Sequence, residues 1–185
     1  MTFQESAQDI KKRFEMQFLN ETRTCTFRQD TPSVQIGGRS LGPFKSGART
    51  ELPNWVIETF DAHDLIDIDA TDAYESLRRL QNLYNAEEKQ PHKLQAFPPL
   101  LYSALIRKMA RLQSDKTSID PRRHDDTEKF RKMLRIMIET RLSKIIRVAK
   151  SGAGQDKRKQ MALEERWLCD ELGNLLSAWR GMVME

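Results

Sequence analysis

Residues 36–47 read Ile36-Gly37-Gly38-Arg39-Ser40-Leu41-Gly42-Pro43-Phe44-Lys45-Ser46-Gly47, and they hold four of the chain's eight glycines. Glycine accepts positive φ without a Cβ clash, so this segment predicts a series of tight turns. It is followed by Glu51-Leu52-Pro53-Asn54-Trp55-Val56, in which Pro53 favours the first turn of a helix, because its missing N–H costs little there. We expect the turns to bring Phe44 against Trp55 in the core of a small domain.

A glycine-rich loop can also bind phosphate, but this alternative requires a particular spacing. A P-loop reads GxxxxGK[ST] between a strand and a helix, and a dinucleotide site reads GxGxxG. Neither spacing occurs in residues 36–47, and Pro43 lacks one of the N–H groups that a phosphate nest uses. The segment therefore favours a turn that sets a short helix against a small sheet over a phosphate-handling enzyme.

Length and composition indicate a polar protein of one or two domains. The chain has 185 residues, of which 31% are charged, and its mean hydropathy is -0.67. No apolar run approaches the roughly 18 residues of a membrane span, and the N-terminus lacks the features of a signal peptide. Cys25 and Cys169 belong to no pairing motif, which predicts a reduced, intracellular protein.

Charge is distributed unevenly, although the formal net charge is only +4. Residues 51–88 contain ten acidic residues against two arginines, whereas residues 105–166 contain eighteen Lys and Arg against nine acids. Such asymmetry indicates charged partners more than it indicates a fold.

The first part of the chain, residues 1–70, predicts a small β-rich domain with flanking short helices. Residues 4–18 carry apolar side chains at four-residue intervals, which is typical of a helix with one narrow apolar stripe. Residues 22–27 and 33–36 have strand composition, and the turn-forming Gln29–Pro32 between them predicts a hairpin. Residues 65–69 alternate again and predict a strand that closes the sheet. The stripe residues are Ile10, Phe14 and Phe18.

The second part, residues 71–185, predicts a helical domain, so that the whole fold is α+β and mostly α. Apolar spacing predicts a helix from residue 71, a polar loop over 87–97, and a second helix over 100–112. Asp120-Pro121 is a helix start signal, and a long helix runs from there to the break at residues 151–154. A final helix follows. Four amphipathic helices require a bundle, or a partner, to bury their apolar faces.

Motifs for catalysis are not found. His63, His92 and His124 form no metal-binding pair with one another or with the two cysteines. No GxSxG, HExxH or CxxC is present, so the templates for nucleophilic and metal-dependent enzymes fail. We expect a protein that is not an enzyme and that uses no metal or cofactor.

Basic residues late in the chain leave two interpretations open. Clustered on one side, they would bind DNA without sequence preference, as a stand-alone basic helical protein does. Otherwise they form a solvated face or contact an acidic partner, which the absence of interleaved aromatic residues favours. Arg141 differs because it lies in an apolar run, which predicts pairing with a buried or interfacial carboxylate. The basic candidates are Lys144, Arg147, Lys150, Lys157, Arg158 and Lys159.

Three blocks, in this order, resemble those of GINS subunits. The first is the glycine-rich segment and its continuation to Trp55, the second is Phe97-Pro98-Pro99-Leu100-Leu101-Tyr102, and the third is Glu139-Thr140-Arg141-Leu142-Ser143-Lys144. Within the family, the chain is most similar to the group called second partner of Sld5 and to its archaeal counterparts, in which the small domain comes first. The signature residues of the first block are Gly37, Gly38, Leu41, Gly42, Pro43, Phe44, Gly47, Glu51, Pro53 and Trp55.

This resemblance implies a non-catalytic role in DNA replication. GINS complexes are hetero-tetramers that join the MCM helicase to Cdc45 or a RecJ-like protein in the replicative helicase (CMG) assembly. The implied partners are therefore a companion GINS subunit, MCM, the Cdc45/RecJ-like protein and primase, with DNA contacted through the basic surface and no membrane involved. The implied location is the archaeal cytoplasm, at the nucleoid, or the eukaryotic nucleus, with an archaeal source favoured. Residues expected to divide between core and subunit interface are Phe130, Met137, Arg141, Ile145, Trp167, Leu175 and Trp179.

Overall fold

The computed structural model of the chain describes residues 5–36, 38–69, 72–73, 75–114, 121–152 and 155–184. Predictions that fall on Gly37, Asp120 and residues 153–154 lie outside this description. Contacts between Cα atoms divide the chain into two units, Met1–Ala73 and Tyr74–Glu185. The fold is α+β and mostly α, with the named strands in the first unit and a helical bundle in the second, as the sequence predicts.

The described part of the first unit combines two helices with two small sheets. Helix α1 buries Ile10, Phe14 and Phe18, which confirms the predicted stripe, and Ser6 begins it with a capping box to Asp9. Strand β1 is the centre of an antiparallel sheet with the strand order β4-β1-β5, while β2 and β3 form a separate pair. The elements are α1 (Ala7–Asn20), β1 (Thr22–Phe27), β2 (Val34–Ile36), β3 (Arg39–Leu41), β4 (Arg49–Pro53), α2 (Asn54–Asp61) and β5 (Ile66–Ile68).

The predicted hairpin between β1 and β2 is wrong. Both edges of β1 pair with distant strands, since Arg23 lies opposite Leu52 of β4 and Phe27 lies opposite Ile66 of β5. Strand β2 pairs instead with β3, across a turn that includes Gly38 with a φ of 77°. The hairpin therefore forms at Gly38, where a positive φ is accessible. The predicted closing strand β5 is confirmed.

A cluster of aromatic rings fills the core of the first unit. Phe27 and Phe44 stack with their ring centroids 4.2 Å apart, and Phe60 meets Phe27 edge-on at 5.4 Å. Phe44 and Trp55, the latter on α2, are both partly buried and pack against this cluster, and direct contact between the two stays a prediction. Pro53 ends β4 and caps α2, one position before the predicted first turn.

In the residues that the structure describes, the second unit contains four longer helices and one short one. Helix α3 extends to Lys89, so the predicted loop over 87–97 begins three residues too early, and Glu87 lies inside the helix. A helix long and apolar enough to cross a membrane is not found in the part of the chain that the structure describes. The helices are α3 (Leu77–Lys89), α4 (Leu101–Ser114), α5 (Pro121–Ser151), α6 (Gln155–Arg158) and α7 (Leu163–Met184).

Candidate subunit interface and buried ion network

Arg141 lies in α5, has an exposed fraction of 0%, and donates hydrogen bonds to two carboxylates. Its Nε atom lies 2.8 Å from Oε1 of Glu165 on α7, and its Nη1 atom lies 2.6 Å from Oε1 of Glu87 on α3. The backbone carbonyls of Gln95 and Gln160 accept from the same guanidinium at 2.9 and 3.2 Å. The predicted pairing of Arg141 with a buried carboxylate is therefore confirmed.

The surroundings of Arg141 keep it charged. Burial alone would lower the pKa of Arg141, but the adjacent carboxylates of Glu165 and Glu87 outweigh burial and raise the pKa above its ordinary value. The guanidinium also lies over the ring of Phe97, with its Cζ atom 3.9 Å from the centroid. A desolvated cation over an aromatic face adds attraction, so this group is held on both its edge and its face.

Glu165 also accepts hydrogen bonds from Tyr102 and from the backbone just before α7. The hydroxyl of Tyr102 on α4 donates to Oε1 at 2.7 Å, and the backbone N–H of Ala162 donates to Oε2 at 2.9 Å. Burial and the neighbouring Glu165 charge raise the pKa of Tyr102 well above its usual range. Tyr102 therefore remains a hydroxyl donor at any physiological pH.

Lys144 also faces the interior, which corrects its interpretation as a surface contact for DNA or an acidic partner. Its exposed fraction is 3%, and its ammonium group contacts the carboxylate of Glu87. The carbonyls of Glu87, Gln90 and Lys93 accept from Nζ at 3.1, 2.8 and 2.9 Å. The ammonium therefore satisfies carbonyls around the C-terminal end of α3, where a positive charge is favoured.

These side chains form one network that joins the four long helices of the bundle. Two cations from α5, Arg141 and Lys144, balance the carboxylates of Glu87 and Glu165, and Tyr102 connects α4. Removal of any one of these four charged side chains would leave a buried charge with less compensation than it has now. The second and third blocks of the sequence resemblance supply Phe97, Tyr102, Arg141 and Lys144, so those blocks encode the interior of the bundle.

Sequence reasoning missed both acids of this network. Glu87 falls in a polar stretch without periodicity, and Glu165 is one acid among many in a charged segment. A usable signal was present on α5, because Arg141, Lys144, Ile145 and Val148 follow the spacing i, i+3, i+4 and i+7 of a single helix face. Two cations on an apolar face require buried acids.

The predicted interface residues divide between the interior and the surface. Phe130, Met137 and Ile145 are buried within the bundle, as is Arg141, and Trp167 is partly buried. Leu175 and Trp179 on α7 are 67% and 58% exposed. Further exposed apolar side chains continue along the same helix, namely Met182, Val183 and Met184.

The remaining basic candidates lie at the surface, and two of them have acidic partners. Arg158 contacts the carboxylate of Asp170, and Nζ of Lys159 lies 3.1 Å from Oδ1 of Asp156. Arg147, Lys150 and Lys157 are exposed. Among the described residues, no cluster of His, Cys, Asp and Glu side chains has the arrangement of a metal site.

The helical bundle matches a known protein family. A family model described as Sld5, GINS complex protein helical bundle domain, matches residues 74–184. This range covers 111 of the 185 residues and contains the whole ion network and α7. A search of curated proteins found no match to the chain.

Proposed function

This chain belongs to the Sld5 family of GINS complex proteins, and we therefore propose that it is a non-catalytic structural subunit of a GINS hetero-tetramer in DNA replication. The glycine-rich block that precedes the bundle supports the assignment of this chain to the group called second partner of Sld5 or to its archaeal counterparts. In this proposal the bundle provides the surface for assembly, and the ion network fixes the relative positions of the helices that form that surface.

The observation that carries this proposal is an uncovered apolar stripe on α7. Leu175, Trp179 and Met182 follow one another at spacings of four and three residues, so they lie on one face of the helix. Their exposed fractions are 67%, 58% and 78%. A tryptophan and a methionine exposed together are typical of a protein interface, where such residues are enriched.

A companion GINS subunit is the proposed occupant of the stripe. Permanent complexes commonly bury about 2,000 Å² or more, with an apolar centre that resembles a divided protein core. The α7 stripe has this apolar character. Inside the bundle, Arg141 compensates the buried carboxylates of Glu87 and Glu165, so neither of these acids needs a partner across the interface.

We assign the MCM helicase and a Cdc45/RecJ-like protein as partners of the assembled complex. The uneven charge of the chain supports contacts with charged proteins, since residues 51–88 are strongly acidic and residues 105–166 are basic. Such contacts are sensitive to ionic strength. Capture of purified MCM and RecJ-like protein by the assembled complex, and not by the isolated chain, tests this assignment.

The test of assembly uses co-expression with a companion GINS-type chain, followed by mass measurement in solution. The parent chain is expected to form a hetero-tetramer, and Leu175→Asp with Trp179→Asp is expected to prevent it. Met16→Asp is the matched control, because Met16 is 59% exposed on α1 of the first unit. Both variants should keep the helical circular dichroism of the parent, since all three positions are solvent-exposed.

Two outcomes would overturn the proposal. The first is a parent chain that stays monomeric in the presence of its companion. The second is a tetramer that forms equally well with the Leu175 and Trp179 substitutions and with the Met16 control.

A further inference from the structure

A pocket of about 330 Å³ lies in the second unit, beside the C-terminal half of α5. One wall comes from the segment that follows α3, the second from α5, and the third from α6 and the residues after it. Its lining residues are His92, Lys93, Leu94, Lys144, Arg147, Val148, Lys157 and Gln160.

Positive charge surrounds this pocket without compensation. Lys93, Arg147 and Lys157 are exposed, and no carboxylate of the described residues forms an ion pair with any of the three. The lining itself contains no acidic side chain. Lys144 adds no free charge, because its ammonium is bound to Glu87 and to backbone carbonyls. The three exposed cations therefore favour an anionic ligand.

The pocket also has a preformed geometry. The Arg147 guanidinium donates to the carbonyl of Pro91 at 3.3 Å, and its Nη1 atom lies 3.1 Å from Nδ1 of His92. These contacts hold the planar group in place, which lowers the entropy lost when it binds a carboxylate. Leu94 and Val148, each 6% exposed, supply the apolar side chains of the lining, and we call these two residues the floor of the pocket. The site thus combines a fixed guanidinium with an apolar floor.

We propose that this pocket binds a short acidic peptide segment of another protein, with one apolar side chain on the floor and carboxylates at the rim. Leu94 and Val148 would contact the apolar side chain, while Arg147, Lys93 and Lys157 would bind the carboxylates. A volume of about 330 Å³ accommodates a few side chains.

Nucleic acid fits these observations less well than a peptide. An extended phosphate backbone needs a continuous row of cations, but Arg158 and Lys159 beside the pocket are paired with Asp170 and Asp156. Single-stranded binding also relies on aromatic side chains for base stacking, and the lining contains no Phe, Tyr or Trp. The isolated recess with an apolar floor matches an acidic peptide instead.

The experiment measures fluorescence anisotropy of a labelled Asp-Glu-Leu-Asp-Glu peptide with the full chain at low ionic strength. Arg147→Glu and Lys93→Glu are each expected to weaken binding by roughly tenfold, since each removes an attraction and adds a repulsion. Lys132→Glu changes the net charge equally but lies fifteen residues before Arg147 on α5, about 22 Å along the helix. It is expected to change binding by less than about twofold because of screening.

Changes in the peptide test the floor without altering the protein. Replacement of the central leucine by serine is expected to weaken binding, and the Asn-Gln-Leu-Asn-Gln peptide is expected not to bind. The proposal is overturned if Arg147→Glu binds like Lys132→Glu, or if the leucine has no effect. It is likewise overturned if a single-stranded oligonucleotide binds more tightly than the peptide and the same variants lose that oligonucleotide binding. The α7 stripe is unchanged in all of these proteins, so failure here leaves the assembly proposal standing.

Discussion

Nε of Arg141 donates to Oε1 of Glu165 at 2.8 Å across 24 residues of sequence, and both side chains are no more than 2% exposed. Such a pair is stable only while each partner compensates the other, because an ion without its partner is expensive to bury. The pair therefore makes the position of α7 on α5 sensitive to single substitutions that leave the apolar core intact.

Loss of the central cation should destabilise the bundle strongly. Arg141→Met leaves the carboxylate of Glu165 without its main partner, and we expect the free energy of unfolding to fall by about 3–5 kcal/mol. Urea unfolding followed by circular dichroism measures this change. Arg135→Met, at an exposed position of the same helix, should stay within about 0.5 kcal/mol of the parent. Equal midpoints for the two variants would contradict the structural role of Arg141.

The ammonium of Lys144 should stabilise the end of α3 specifically. Lys144→Met removes the donor to the carbonyls of Gln90 and Lys93, so amide exchange near the C-terminus of α3 should accelerate. A double-mutant cycle with Glu87→Gln should give a coupling energy of about 0.5–3 kcal/mol. Lys150→Met, at an exposed position six residues later on α5, is the control and should leave exchange in α3 unchanged. A coupling energy near zero would show that Lys144 and Glu87 act independently.

The difference in stability between the Glu164→Gln variant and the parent should depend on pH. Burial raises the pKa of Glu164 above its ordinary value, although hydrogen bonds from Ser103 at 3.0 and 2.9 Å oppose the shift. The folded state therefore holds this proton more tightly than the unfolded chain, so stability is present at low pH and declines as pH rises. Glutamine keeps an oxygen acceptor for Ser103 and carries no charge.

Relative to the parent, Glu164→Gln should thus gain free energy of unfolding between about pH 4 and pH 7. Chemical unfolding at several pH values measures the difference. Glu171→Gln, at an exposed position of α7, provides the comparison. A Glu164→Gln difference that stays constant across this range would contradict the inferred shift.

Two glycines of residues 36–47 should differ in their tolerance of alanine. Gly42 and Gly47 have φ values of 92° and 78°, so each alanine introduces backbone strain of about 1–2 kcal/mol. A Cβ at Gly42 would also lie 3.1 Å from a ring atom of Phe44, whereas nothing lies within 4 Å of one at Gly47. Gly42→Ala should therefore be the more destabilising substitution in thermal unfolding, because the Phe44 ring must shift by a few tenths of an ångström against Phe27. Equal melting temperatures would show that the ring shifts freely.

Local spacing allowed much of the helical structure to be predicted. The interval of four between Ile10, Phe14 and Phe18 correctly identified the buried face of α1, since helix periodicity is a property of neighbouring residues. The same logic did not separate Lys144 from Arg147. At about 100° per residue, Arg147 lies about 60° from Lys144 and about 120° from Arg141 around the helix, which places Lys144 inside and Arg147 in solvent.

Contacts between distant residues were less accessible to sequence reasoning. The pairing of β1 with β4 and β5 depends on chain segments 20 or more residues away, and strand composition does not encode the choice of partner. Glu87 and Glu165 likewise became recognisable only when the fold brought them to Arg141. The resemblance of whole sequence blocks to those of GINS subunits did predict the bundle. Those blocks include Phe97, Tyr102, Arg141 and Lys144, which make contacts between distant parts of the chain.

The position of Arg141 in the chain has a consequence for synthesis. Its carboxylate partners lie 54 residues earlier, at Glu87, and 24 residues later, at Glu165. When α5 has left the ribosome but α7 has not, the guanidinium of Arg141 has Glu87 as a partner but still lacks Glu165. The bundle should therefore close only after α7 emerges, so folding of the second unit during translation is expected to be a single late event.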